Sequence, residues 1–221
     1  MPIEIEINIR PIFSTPLVVF TVAQHEKLNA ELAPLILRRE NADPTFSDYE
    51  VVGWSSPHDL SMLTWAEKPL RELFAPVIEV AKQMTEYSER ATGRRNGRPD
   101  WQVVEVWANV QRKGGSNAAH PHPGSFWSGV YYVDVGEVGT QAGHGGELQL
   151  YDPRGCLPRM LAPYLRYSMP ELHDAGRNIS FVPSTGQCVL FPGWLFHAVN
   201  AYHGSTPRIS VAFNLDPMLE R

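Results

Sequence analysis

The 221-residue sequence contains only two cysteines, Cys156 and Cys188, too few for a disulfide framework and in keeping with a reducing compartment. It contains no apolar run near the ~18 residues needed to cross a membrane. Concentrated positive charge is also missing. Nineteen Lys and Arg stand against 24 Asp and Glu, a formal net charge of −5, and the nearest thing to a basic patch, Arg94-Arg95 with Arg98, lies in a Gly-rich stretch that reads as a solvated turn. Nucleic acid is therefore not the expected main partner. The opening Met-Pro-Ile-Glu-Ile-Glu-Ile-Asn has no basic n-region, so it is not read as a signal peptide. No internal repeat and no low-complexity tract stands out. These absences leave a soluble protein, expected in the cytoplasm, with no membrane partner.

What is present is ordinary in amount, with 43% hydrophobic and 19% charged residues, and uneven in pattern. A single domain over residues 1–221 is expected, a size that buries roughly 70% of the unfolded surface. Residues 1–100 read as a mixed, mainly helical support. Ile3 to Ile9 alternates like a strand and Leu17 to Val22 is a short apolar run. Leu28, Leu32, Leu35 and Ile36 recur at helical spacing within 23–39, as do Leu63, Leu70, Phe74, Val77, Ala81 and Met84 within 61–92, where Pro69 and Pro76 are expected to divide the helix. Beyond Asp100 the period changes to two. Strands are expected at 101–111, 128–134, 147–151, 178–182, 187–191, 196–201 and 208–215, mostly separated by Gly or Pro. Residues 153–177 read as a long loop or insertion. The fold class implied is mainly β with flanking helices, residues 101–221 forming a jelly-roll or barrel core.

Three groups in the β half carry chemistry. His120-Pro-His122 places two imidazoles at i and i+2, which face the same way in an extended chain. Such a pair suits iron, zinc, copper or nickel, and equally describes two surface histidines in a Pro-rich loop. His197 lies among apolar residues in Leu190-Phe-Pro-Gly-Trp-Leu-Phe-His-Ala-Val-Asn200, where a satisfied core histidine is the simpler reading. Arg208-Ile-Ser210 sets a guanidinium and a hydroxyl on one strand face, a clamp for a carboxylate or an exposed Arg on a strand.

Taken in order, His120, His122, Ser128-Gly-Val-Tyr-Tyr-Val133, Gly145-Gly-Glu-Leu148, His197 and Arg208 resemble the non-haem iron(II), 2-oxoglutarate-dependent oxygenases, and their prolyl-hydroxylase branch in particular. Pro11-Ile-Phe-Ser-Thr-Pro16, Gly53-Trp-Ser-Ser56, Asn117 to His122, Leu190-Phe-Pro192 and Arg208-Ile-Ser-Val-Ala-Phe-Asn214 are similar to a bacterial and phage family of such oxygenases that carries His-x-His. The resemblance implies a double-stranded β-helix and Fe(II) held by His120, His122 and His197. It also implies 2-oxoglutarate anchored by Arg208 with Ser210 and Tyr132, and decarboxylation to succinate coupled to hydroxylation of a peptide or small molecule. Asn109, Asn117, Trp107 and Trp127 are candidates for the pocket wall, although core packing is the simpler role for the tryptophans.

His122 stands where most of that superfamily has Asp or Glu. Three neutral imidazoles leave an iron(II) centre at +2, which dianionic 2-oxoglutarate brings to zero; a carboxylate would make the same complex −1. If His122 is not a ligand, Glu147 and Asp134 are the acids to consider. A cupin-type dioxygenase or isomerase without 2-oxoglutarate also remains open, since Gly114 before His120-x-His122 and Gly186 before Pro192-Gly193 resemble the two cupin motifs. Phe126 or Trp127 stands where the cupin glutamate belongs. A non-catalytic jelly-roll binding module is the third reading.

Overall fold

A computed structural model describes residues 12–44, 51–88, 97–155, 162, 164–165 and 178–218. The expected strand at Ile3 to Ile9, most of the 153–177 loop, Cys156 and the Arg94-Arg95 pair lie outside those residues.

In chain order the elements are β1 (Val18–Thr21), α1 (His25–Ala42), β2 (Val51–Val52), β3 (Trp54–Ser55), α2 (Met62–Trp65), α3 (Glu67–Gln83), β4 (Trp101–Gln111), β5 (Ser116–His120), β6 (Trp127–Asp134), β7 (Leu148–Leu150), β8 (Ile179–Phe181), β9 (Gln187–Pro192), β10 (His197–Val199) and β11 (Arg208–Pro217). They form two antiparallel sheets. The major sheet runs β1-β9-β6-β11-β4-β3 and the minor sheet β2-β5-β10-β7-β8. All seven strands expected beyond Asp100 are present, within a residue or two at their ends.

The major sheet is buried on both faces, and its period-two pattern sorts residues between them. Val106, Ala108 and Val110 of β4, Ile209, Val211, Phe213 and Leu215 of β11, Tyr131 and Val133 of β6, and Cys188 and Leu190 of β9 form one cluster with Leu28, Leu32 and Ile36 of α1 and Leu70, Leu73, Phe74 and Val77 of α3. The helical spacing of these α1 and α3 residues thus becomes a stripe laid on the sheet. Phe74 meets Phe213 edge-on at 5.2 Å, and each such buried side chain contributes about 1.5–3 kcal/mol of transfer free energy. On the opposite face Tyr132, Val189 and Phe191 join Leu148, Leu150 and Leu195 in a second cluster.

Three local expectations change. The helix does not divide at Pro69; the break falls at Ala66 and α3 starts at Glu67. Pro69 occupies the first turn, where no backbone N–H needs an intrahelical acceptor, and Pro76 is carried inside α3. The helical stretch also ends at Gln83 rather than continuing to 92. Finally, Ser116-Asn-Ala-Ala-His120 forms a strand that its weak propensity conceals, because it pairs with β10 on one side and β2 on the other.

Gly129 is the tight point of the helix-side core. A Cβ there would lie 2.4 Å from Phe213 Cζ and 2.8 Å from Leu190 Cδ2. Gly129→Ala is expected to lower the unfolding free energy by about 1–3 kcal/mol through overpacking, read from urea melts. An unchanged midpoint would show that Phe213 swings clear.

Candidate metal and anion site

The three histidines converge. His120 ends β5 and His197 opens β10, and the two are direct cross-strand partners. His122 lies beyond the strand, so alternation does not place it. Instead its backbone N–H donates to Gly193 O at 2.7 Å, and Gly193 N–H donates to Phe126 O at 3.1 Å. This clasp needs glycine, since a Cβ at 193 would lie 2.2 Å from Ser125 O. Ring centroids are 5.0 Å apart for His120 and His122, 4.6 Å for His120 and His197, and 5.1 Å for His122 and His197. One nitrogen from each ring lies within 4.8 Å of the others.

Hydrogen bonds fix the tautomer of two rings. His120 Nδ1 is 2.7 Å from Ala118 O and His197 Nδ1 is 2.9 Å from Leu195 O. A carbonyl only accepts, so each Nδ1 carries the proton and each Nε2 presents a lone pair. Burial holds the His197 ring down to about 4, and burial with the neighbouring His197, His120 and His58 holds His122 down to about 3. Both are neutral imidazoles at physiological pH, the form that binds a metal. Among the described residues no carboxylate joins this cluster. Glu147 instead accepts from Asn200 Nδ2 at 3.1 Å and Asp134 accepts from the Gly136 N–H at 2.8 Å.

The inner face of the major sheet supplies the rest of the pocket in rows set by strand register. Gln111 faces Arg208; Asn109, Ser210 and Tyr132 form the next row; Trp107, Ala212 and Val130 the third. Trp107 lines the pocket with its ring 5.4 Å from His122, and it is braced behind by His58, stacked at 4.2 Å. His58 Nε2 is in turn 3.1 Å from Ser55 Oγ. Asn109 and Asn117 also line the pocket. Trp127 lies on the helix face, its indole N–H donating to Thr85 Oγ1 at 3.0 Å.

Arg208 is the electrostatic peculiarity. Its side chain is 1% exposed, yet among the described residues no carboxylate forms an ion pair with it. Nη1 donates to Gln111 Oε1 at 2.8 Å and, more weakly, to Ser210 Oγ at 3.4 Å, and the guanidinium lies 5.4 Å from the Tyr132 ring centre. Burial lowers its pKa, opposed by Tyr132, Tyr202 and Glu147. Arg208 Nε and the Tyr132 hydroxyl are buried with no hydrogen-bond partner, and burial pushes that hydroxyl up to about 12, so it stays a donor. A buried cation flanked by two idle donors fits a carboxylate. The three imidazole nitrogens fit a divalent transition metal.

Sequence reasoning missed Gln111. It is fully buried; because an Arg can only donate, Gln111 must turn Oε1 to Arg208, leaving its Nε2 to donate to Asn117 Oδ1. It therefore ties Arg208 to the strand that carries His120. Its place two residues from Asn109 on the inner face of β4 was the only available signal. Ser55 and His58 were likewise unmarked, although Gly53-Trp-Ser-Ser56 formed part of the family resemblance.

A double-stranded β-helix with three converging histidines and a buried, unpaired arginine defines the class of non-haem metal enzymes that bind an anionic cosubstrate. Residues 105–214 match the profile of the family described as "Putative 2OG-Fe(II) oxygenase", and the chain belongs to this 2-oxoglutarate–iron(II) oxygenase family. Solved structures agree on the fold. A prolyl hydroxylase of Trichoplax adhaerens, in complex with a peptide fragment of hypoxia inducible factor, is 12% identical with a TM-score of 0.56, over 90% of this chain and 82% of that one. The epimerase SnoN of nogalamycin biosynthesis is 15% identical with a TM-score of 0.56, over 90% and 77%. HygX of Streptomyces hygroscopicus, with nickel and 2-oxoglutarate bound, is 13% identical with a TM-score of 0.55, over 93% and 84%. Comparison with curated proteins finds no match.

An unpaired buried charge weakens the fold that holds it. Arg208→Met, apolar and of similar length, is expected to leave the ligand-free protein as stable or more stable by about 1–4 kcal/mol in urea melts. A loss of more than about 1 kcal/mol would show that the charge is already balanced.

Proposed function

We propose that His120, His122 and His197 hold iron(II), and that Arg208, with Tyr132 and Ser210, holds the far carboxylate of 2-oxoglutarate. The observation that carries this reading is a three-imidazole cluster sharing one pocket with a buried guanidinium that has no counter-ion among the described residues. When bound, iron(II) and 2-oxoglutarate supply oxygen activation coupled to decarboxylation of the cosubstrate to succinate.

The protein's own groups orient and insulate. The two Nδ1–H bonds keep His120 and His197 in the ligating tautomer, and the Gly193 clasp presents the third ring. Three neutral ligands leave the centre more positive than two with a carboxylate, which favours a dianionic cosubstrate. Gln111 holds Arg208 without cancelling its charge, and Tyr132 offers a proton to a carboxylate oxygen rather than accepting one. Trp107, braced by His58, walls the pocket beside His122. The cupin alternative loses ground here, because it gives Arg208 no task and needs an acid near Phe126 or Trp127.

We expect a peptide or small-molecule substrate, since a net charge of −5 disfavours a polyanion such as nucleic acid. No helix among the described residues is long and apolar enough to cross a membrane. We place the protein in the cytoplasm, where ferrous iron and the free, buried Cys188 thiol both persist.

Anaerobic addition of iron(II) and 2-oxoglutarate should produce the visible metal-to-ligand charge-transfer band. His122→Ala is expected to lose iron on desalting. Full retention would remove His122 from the ligand set. Arg208→Ala should weaken 2-oxoglutarate by about 100-fold, the loss of a desolvated charge-assisted contact. Gln111→Glu should weaken it by at least about tenfold while leaving the melting temperature unchanged or higher, because the new carboxylate pairs with Arg208. Normal affinity in both variants would overturn the clamp.

A further inference from the structure

The rows described above stop at Trp107, Ala212 and Val130, but the same inner face continues. One row further from Arg208, Glu105, Asn214 and Ser128 face one another across β4, β11 and β6. They form a hydrogen-bonded chain with a direction. Ser128 Oγ–H donates to Asn214 Oδ1 at 2.8 Å, and Asn214 Nδ2 donates to Glu105 Oε2 at 2.6 Å. Ser128 and Asn214 are each 1% exposed, while Glu105 is half-buried. The chain therefore uses buried donors to orient a carboxylate and leaves Glu105 Oε1 as a free acceptor. Among the described residues no Lys, Arg or His forms an ion pair with Glu105.

Position gives this row its meaning. The histidines stand beside Trp107, 5.4 Å from His122. Gln111 and Arg208 lie on one side of that level, two rows in; Glu105 lies on the other, and Ser128 forms part of the pocket wall. Six residue steps along the strand separate Glu105 from Gln111, roughly 20 Å at the usual rise. Glu105 itself stands half-buried just outside the pocket lining, in the row of Ser128, which belongs to it. If the anionic cosubstrate fills the Arg208 end, the end that Glu105 borders is left for the substrate. Between them Asn109 Oδ1, 5% exposed and lining the pocket, is buried without a donor. Asn109 stands one row on the Arg208 side of Trp107, so the group the substrate half of this face offers is the Glu105 carboxylate.

We propose that Glu105 is a specificity-determining residue that selects substrates carrying a protonated amine. This rests on the oxygenase reading above. A cationic donor satisfies Glu105 Oε1 with a charge-assisted bond, whereas a carboxylate-bearing substrate meets like charge and a purely apolar one leaves the acceptor unpaired.

The test uses the full chain loaded with iron(II) and 2-oxoglutarate under argon. It is titrated with the N-acetyl amides of lysine, norleucine and glutamate, and with putrescine, following the charge-transfer band and the heat of binding. The lysine derivative is expected to bind at least about tenfold more tightly than norleucine, with glutamate weakest. Tight binding of putrescine as well assigns the amine to a small free molecule; binding of the lysine derivative alone assigns it to a peptide side chain. Glu105→Gln, which still accepts from Asn214, should keep the iron–2-oxoglutarate band and the melting temperature while collapsing the lysine preference. Equal binding of lysine and norleucine, no binding of any amine, or an undiminished preference in Glu105→Gln overturns the inference alone. Failure of the band to form in the wild type overturns the oxygenase reading and this inference with it.

Discussion

Strand β11 is the constraint on which the molecule turns. Its odd-numbered residues, Ile209, Val211, Phe213 and Leu215, bind the helices to the sheet, and its even-numbered residues, Arg208, Ser210, Ala212 and Asn214, face the barrel interior. One ten-residue segment thus anchors the helical support and lines the pocket with Arg208, Ser210 and Ala212. A register shift of one position would send Arg208 into hydrocarbon and Phe213 into the pocket. The pairing with β4 along its whole length and with β6 over most of it makes that shift costly. The side of β11 that stabilises the fold and the side that performs chemistry cannot be altered independently.

The pocket itself is divided. The apolar half comes from Tyr132, Phe191 and Leu148, and the polar half from the inner residues of β4 and β11. Between them the minor sheet delivers His120 and His197 as neighbours, and the Gly193 clasp delivers His122. Among the described residues no carboxylate joins this cluster of three imidazoles. Glu105, and Asp216 beyond it on β11, stand at the far end from Arg208.

Much of this was legible in the sequence, for physical reasons that can be named. Period-two patterning gave the seven strands beyond Asp100, because a two-sided sheet imposes alternation on its residues. The order of His120, His122, His197 and Arg208 carried the site. Strand β5 was hidden because Ser116-Asn-Ala-Ala-His120 is held by its neighbours rather than by propensity. Pro69 misled because a proline in the first turn of a helix costs no hydrogen bond. Trp107 and Trp127 look alike in one dimension, yet one braces the pocket and the other packs under Thr85, since they stand on opposite faces. Gln111 and Glu105 carry no motif at all. Their importance comes from register against Arg208 and Asn214, partners about a hundred residues away.

The buried guanidinium also has a consequence for the life of the protein in a cell. A fold that carries an unbalanced interior charge is at its weakest when empty, and any anion that balances it adds stability in proportion to the logarithm of its concentration. Copies starved of such a ligand open more often, and open chains are the ones that proteases remove. The supply of a small dicarboxylate would then set not only how fast this protein turns over its substrate but how much of the protein is there.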